Sequence, residues 1–232
     1  MPLTIEVFDD ADAVARAAAG LVAAEARASF AARGKFTVAV SGGRTPWLML
    51  RALADEDLPW AGVHVVQVDE RVAPDGDPDR NLTHLRESLL ARVPLRSYQV
   101  HAMPVEATDL EAAARAYADE LRAAAGEPPV LDLVLLGLGS DGHTASLVPG
   151  DPSLGVTDAD VALAGPYQGR RRMTLTYPVI DRARRVLWVV TGAEKSDMLR
   201  RLCDGDLSIP AGRVRQDRAL VLADRAAAGE LR

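Results

Sequence analysis

The feature that most constrains this chain is the run "VLDLVLLGLG" (130–139), in which apolar residues follow one another instead of alternating with polar ones. A strand with one wet face alternates, whereas a strand covered on both faces reads as a continuous apolar run. Comparable runs stand at "FTVAV" (36–40), "VHVVQVDE" (63–70) and "RRVLWVVTG" (184–192). Weaker ones lie at "YQVHAM" (98–103), "ADVALAG" (159–165), within "RRRMTLTYPVI" (170–180) and at "ALVLAD" (219–224). Helical segments separate them. Residues 11–33 are alanine-rich and stopped by Gly34, and a helix with Pro46 in its first turn runs to about Leu53. Residues 82–92 and 193–203 also read as helices, as do 109–126, opened by Asp109 and closed by Gly126. This alternation predicts an α/β fold with a mostly parallel central sheet covered on two faces. No 20–50-residue repeat and no linker-like stretch divides 1–232, so a single domain is expected.

Charge narrows the partners. The formal net charge is −6, which argues against bulk attraction to nucleic acid. The only lysines are Lys35 and Lys195, so arginine must supply most local anion binding. No run of about 18 apolar residues exists, and no membrane span is expected. The opening "MPLTIEVFDD" lacks signal-peptide character, and one cysteine, Cys203, allows no internal disulfide. Both suit a cytoplasmic location.

In an open parallel sheet, ligands bind beyond the carboxyl ends of the strands. Four segments follow strands here: Ser41-Gly42-Gly43-Arg44-Thr45-Pro46, Asp69-Glu70-Arg71, Gly139-Ser140-Asp141-Gly142-His143-Thr144 and Thr191-Gly192-Ala193-Glu194-Lys195. They are expected to meet in one crevice. Gly42 and Gly43 before a helix start let backbone N–H groups approach an anion, and Arg44 can add a bidentate contact. Arg71 and Lys195 are further candidate phosphate ligands, with Asp69 or Glu70 orienting neighbours. His143, flanked by glycine and two residues after Asp141, is the candidate general base, because an ordinary imidazole titrates near neutrality. His64, His84 and His101 read as structural. "GRRRM" (169–173) reads as a solvated edge from which one of Arg170, Arg171 and Arg172 can reach the phosphate region.

A literal G-x-G-x-x-G is formed by Gly137, Gly139 and Gly142. The dinucleotide reading is weak, because no acidic residue ends the next strand about 20 positions on and His143 intrudes where phosphate would meet a helix. No Cys pair, H-E-x-x-H or His pair at ligand spacing supports a metal site.

Taken in order, "SGGRTP", "DER", "GLGSDGHTASLVPG", "RMTLTYPVI" and "TGAEK" make the chain resemble the 6-phosphogluconolactonase family over roughly residues 5–225. That family shares a superfamily with glucosamine-6-phosphate deaminase. In the deaminase the loop histidine is typically followed by Ile-Ala-Phe-Asn, whereas Thr144-Ala145-Ser146-Leu147 follows here; the deaminase also tends to carry an aromatic where Arg71 stands. The resemblance implies a modified Rossmann-like three-layer sandwich that uses no nucleotide. It implies metal- and cofactor-free hydrolysis of 6-phospho-D-glucono-1,5-lactone in the oxidative pentose phosphate pathway. His143 would be the base, with Asp141 beside it. Gly42, Gly43, Arg44, Asp69, Arg71 and Lys195 would line the phosphate end, and Asn81 would be a further polar contact. The competing readings are a deaminase or isomerase, a non-catalytic sugar-phosphate sensor and, more distantly, a nicotinamide oxidoreductase. The expected partner is a small sugar phosphate, and the expected state a monomer or weak homodimer.

Overall fold

Asp10 opens the first long helix by accepting a hydrogen bond from the Ala13 N–H, and Gly34 ends it in the left-handed conformation at φ 70°. The same logic repeats along the chain in a computed structural model that describes residues 3–229 and Leu231. In chain order the elements are β1 (Thr4–Phe8), α1 (Ala11–Arg33), β2 (Phe36–Val40), α2 (Arg44–Leu53), β3 (Val63–Gln67), β4 (Asp69–Arg71), α3 (Asn81–Leu85) and β5 (Val100–His101). They continue with α4 (Leu110–Ala125), β6 (Leu133–Leu136), β7 (Val161–Tyr167), β8 (Arg170–Leu175), α5 (Tyr177–Arg182), β9 (Val186–Val190), α6 (Ser196–Cys203), β10 (Ala219–Asp224) and α7 (Arg225–Ala228).

Seven strands form one sheet in the order β1-β10-β9-β6-β2-β3-β5, every neighbouring pair parallel. The apolar runs are continuous because successive side chains feed two different cores. Leu133 and Leu135 pack with α1 and α2 on one face, while Val134 and Leu136 pack with α4, α5 and α6 on the other. The result is a three-layer α/β sandwich. A second, three-stranded antiparallel sheet, β4-β8-β7, leans over one end of it.

Three expectations change. β1 was not legible in the sequence: it is an edge strand with three exposed residues in five, so it lacks the apolar signal of its neighbours. The segment 63–70 is two strands, not one. The chain leaves the central sheet at Val68, whose N–H still bonds Val40 O at 3.0 Å while its own carbonyl accepts from Leu175 N at 2.8 Å. Buried Gln67 makes this break stable by donating to Glu70 and accepting from Met103 N–H. The segment 82–92 is only a short helix, α3, running on as a wider π-type turn to Leu90.

The sheet order sets the position of the site. From β2 the chain winds outward through β3 to β5, then returns to place β6 on the other side of β2. The loops after β2 and β6 therefore part in opposite directions and leave a crevice at their carboxyl ends. Leu135, fully buried at the centre of this arrangement, is the expected weak point. Leu135→Ala should lower the unfolding free energy by about 2–5 kcal/mol in urea denaturation, through lost burial and the cavity it leaves.

Candidate active site

A cavity of about 530 Å³ occupies this crevice, a size suited to a small metabolite. All four strand-end segments reach it, and its walls include Gly42, Gly43, Arg44, Asp69, Arg71, Asn81, His143 and Lys195. Asp141 does not line the cavity itself; it stands behind His143.

The loop after β2 is tied down by Ser41, whose hydroxyl donates to Leu135 O at 2.8 Å. Gly42 then passes so close to Asn81 that a β-carbon there would lie 1.9 Å from Asn81 Oδ1. α2 starts at Gly43 with no side chain capping it, so its first N–H groups face the cavity without a protein partner from such a cap. Across the crevice, Thr191 Oγ1 lies 2.6 Å from Thr45 Oγ1 and joins the loop after β2 to the loop after β9. Asp224 holds the second loop by accepting from the Gly192 N–H and from Ala227 N–H at the start of α7. Among the described residues, no carboxylate lies in ion-pair range of Arg44, Arg71 or Lys195; Arg71 is steadied instead by the carbonyl of Asp79. Three cations and an uncapped helix start thus line the same cavity.

The buried acids of the site are already engaged. Glu70, fully buried, accepts from the N–H groups of Arg71, Asn81 and Leu82 and from the Gln67 amide, all at 2.8 Å. Asp69 accepts from Ser146 at 2.6 Å and from Asn81 at 3.2 Å, and Arg172 lies 3.9 Å away. Both acids are held by hydrogen bonds from neighbouring groups. Asn81 spends its amide N–H on Asp69, leaving its buried Oδ1 with no protein donor.

The loop after β6 does not start a helix. It closes on itself through Gly142 N to Gly139 O and Gly139 N to His143 O, then forms a bridge between Thr144 and Leu147. The G-x-G-x-x-G therefore lacks the helix start a dinucleotide pyrophosphate needs. Gly139 is required for another reason: a β-carbon there would fall 2.0 Å from His143 Nδ1. His143 Nδ1 sits 2.6 Å from Asp141 Oδ1, which also accepts from the His143 N–H at 3.1 Å. Burial pushes the Asp141 carboxyl up, but the hydrogen bonds from His143, the imidazole charge and the Tyr167 hydroxyl together hold it below the ordinary value. An ionised Asp141 favours the tautomer with its proton on Nδ1 and Nε2 unprotonated.

Of the three consecutive arginines, Arg172 lines the cavity, while Arg170 pairs with Asp77 and Asp79 outside it. His64 contacts His101 at 3.0 Å and His84 stacks on Trp47, so neither His64, His84 nor His101 belongs to the cavity wall. Sequence reasoning missed Tyr167 and Gln168, which also line the cavity. The signal was present as "YQGR", a short glycine turn between two strand-like runs. Among the described residues, no cluster of three or more His, Cys, Asp or Glu is arranged to hold a metal ion.

Gly42 is the position where packing and site meet. Gly42→Ala should destabilise the fold by about 1–3 kcal/mol in chemical denaturation, because the anchored Asn81 amide cannot move aside freely.

Residues 9–222 match the family model described as glucosamine-6-phosphate isomerases/6-phosphogluconolactonase. The chain is 38% identical to the 6-phosphogluconolactonase of Mycobacterium tuberculosis over 245 residues, covering 100% of this chain and 99% of that one. It is 36% identical to that of Nostoc over 239 residues, with the same coverage. The solved 6-phosphogluconolactonase of Trypanosoma brucei superposes with a TM-score of 0.87 at 29% identity, over 99% of each chain. With a matched model over most of its length and relatives of this identity along its whole length, the chain belongs to the glucosamine-6-phosphate isomerase/6-phosphogluconolactonase family.

Proposed function

We propose that this chain hydrolyses 6-phospho-D-glucono-1,5-lactone to 6-phospho-D-gluconate in the cytoplasm, as one catalytic unit with His143 as general base and no metal or cofactor. One observation carries the reading: an imidazole with its Nδ1 fixed on Asp141 faces the same cavity as Arg44, Arg71 and Lys195, cations that no carboxylate neutralises. The full-length relatives named 6-phosphogluconolactonase support the choice of substrate.

The phosphate is remote from the reacting carbon and serves as a handle. Seated among Lys195, Arg44 and the first N–H groups of α2, it converts binding energy into orientation of the lactone ring. His143 Nε2 removes a proton from water as the oxygen adds to C1, and the carbonyl electrons move onto its oxygen. As the tetrahedral anion collapses, the C1–ring oxygen bond breaks and the imidazolium returns its proton to the departing oxygen. The product is a hydroxy acid, whose carboxyl proton passes to solvent. Asp141 stabilises the imidazolium between the two transfers.

Amine release by a deaminase is not favoured by any residue here. Asp69, one of the carboxylates lining the cavity, already accepts from Ser146 and Asn81, with Arg172 3.9 Å away.

A coupled assay on freshly generated lactone, corrected for spontaneous opening, tests this directly. His143→Ala should lower kcat by about 10²–10⁴-fold with little change in product affinity. Lys195→Ala and Arg71→Ala should raise KM about tenfold or more, as loss of a charge-assisted contact predicts, with a smaller effect on kcat. Wild-type turnover by the histidine variant would refute the assignment. Because the Asp141 carboxyl is held low, it is ionised wherever an imidazole titrates. kcat/KM should therefore rise with pH through a single one-proton acid limb; a two-proton limb would contradict this.

A further inference from the structure

The β7–β8 hairpin carries a side chain into the site that the reaction scheme above does not use. Its turn is only two residues, Gln168 at φ 52° and Gly169 at φ 79°, between the paired Tyr167 and Arg170. Two consecutive positive φ values are the mark of the tight turn that matches strand twist, and Gln168 is an uncommon residue to hold one. The ladder also slips between Ala164 and Tyr167. A bulge of this kind re-aims the side chain that follows it. Here it delivers Tyr167 to the catalytic loop.

The Tyr167 hydroxyl lies 3.1 Å from Asp141 Oδ2 and 3.4 Å from His143 Nδ1. The rings of His143 and Tyr167 meet edge to face, their centroids 5.1 Å apart. Behind the tyrosine, the Arg172 guanidinium stands 5.0 Å over the ring, and its Nη2 donates to Tyr167 O at 3.3 Å. Asp141 has two oxygens, and His143 occupies Oδ1 with both its ring and its backbone N–H. Oδ2 has Tyr167 as its protein donor. One proton arrangement satisfies all three groups: tyrosine O–H to Oδ2, Nδ1–H to Oδ1, and a bare Nε2. If the tyrosine proton went to Nδ1 instead, the imidazole would carry its proton on Nε2 and could not act as a base.

We infer that Tyr167 is a positioning residue: its hydroxyl, carried by the bulged hairpin, fixes the Asp141 carboxylate so that His143 presents an unprotonated Nε2 to the cavity. This rests on the reading of His143 as the base. Burial, and then the neighbouring Asp141 carboxylate, push the tyrosine hydroxyl above its ordinary value, so it keeps the proton it donates. Other charged groups line the same cavity from separate elements: Asp69 and Arg71 from β4, Arg172 from β8, Arg44 from α2, Glu194 and Lys195 from the loop after β9, and Asp224 from the end of β10. Among the described residues, none of them hydrogen-bonds Asp141 or the His143 ring.

Tyr167→Phe keeps the ring and removes only the hydroxyl. kcat should fall roughly tenfold, the size of one hydrogen bond to a charged group, while KM stays within about twofold. Without that hydrogen bond the Asp141 charge acts more strongly on the imidazolium. The acid limb of kcat/KM should therefore move to higher pH, and the His143 ring titration followed by ¹⁵N NMR should move with it. Thermal melting of the variant checks that the fold persists. Unchanged kcat, acid limb and ring titration in Tyr167→Phe would overturn the proposal while leaving the base reading intact. If the wild-type acid limb fails to follow the His143 ring titration, the base reading itself falls and takes the proposal with it.

Discussion

A parallel sheet buried on both faces cannot place its polar chemistry along the strands, so it must place it at their ends. In this chain the winding reverses between β2 and β6, and the crevice at that reversal is where the connecting loops diverge. The hydrogen bond from Ser41 to Leu135 O ties the two strands together at the floor of the crevice. Everything polar in the site is arranged around that gap: the helix start of α2 on one side, the glycine loop of His143 on the other, and the Lys195 loop behind.

The acids of the site explain how a chain of net charge −6 presents a cationic cavity. A carboxylate removed from water must be matched by donors or charges. Glu70 is matched by four N–H groups, which bind the short strand β4 to the start of α3. Asp224 is matched by Gly192 and by the first turn of α7, and Asp69 by Ser146 and Asn81. Each of these three acids is consumed in holding a loop, and among the described residues none of them pairs with Arg44, Arg71 or Lys195. The unpaired cations and the rigid frame are two consequences of the same pairing.

The fold was legible because its signal is local and strong. Continuous apolar runs marked β2, β6 and β9, and Asp and Gly caps marked α1 and α4 at their ends. The four loops were legible because a strand-end position and a polar, glycine-bearing composition coincide there. What stayed hidden was set by tertiary context. β1 is an edge strand whose pairing with β10 joins opposite ends of the chain. The break at Val68 depends on Gln67 reaching Met103 and Glu70, contacts that no local pattern encodes. Tyr167 enters the site only through a bulge and a mirror-image turn, and an arginine-rich strand beside it suggested solvent instead. Arg170 and Arg172 share one face of β8, so strand alternation alone could set aside only Arg171; what separates the other two is that Asp77 and Asp79 hold Arg170.

The central claim is that one imidazole and one group of cations act on the same small molecule. The most direct measurement is a titration of 6-phosphogluconate into protein carrying ¹⁵N-labelled histidine, followed by NMR, with unphosphorylated gluconate as the control. The account predicts that the phosphorylated acid shifts the His143 ring resonances, leaves those of His64, His84 and His101 in place, and binds far more tightly than gluconate. A 6-phosphogluconate complex in which the His143 resonances do not move, or one that gluconate forms equally well, would contradict it.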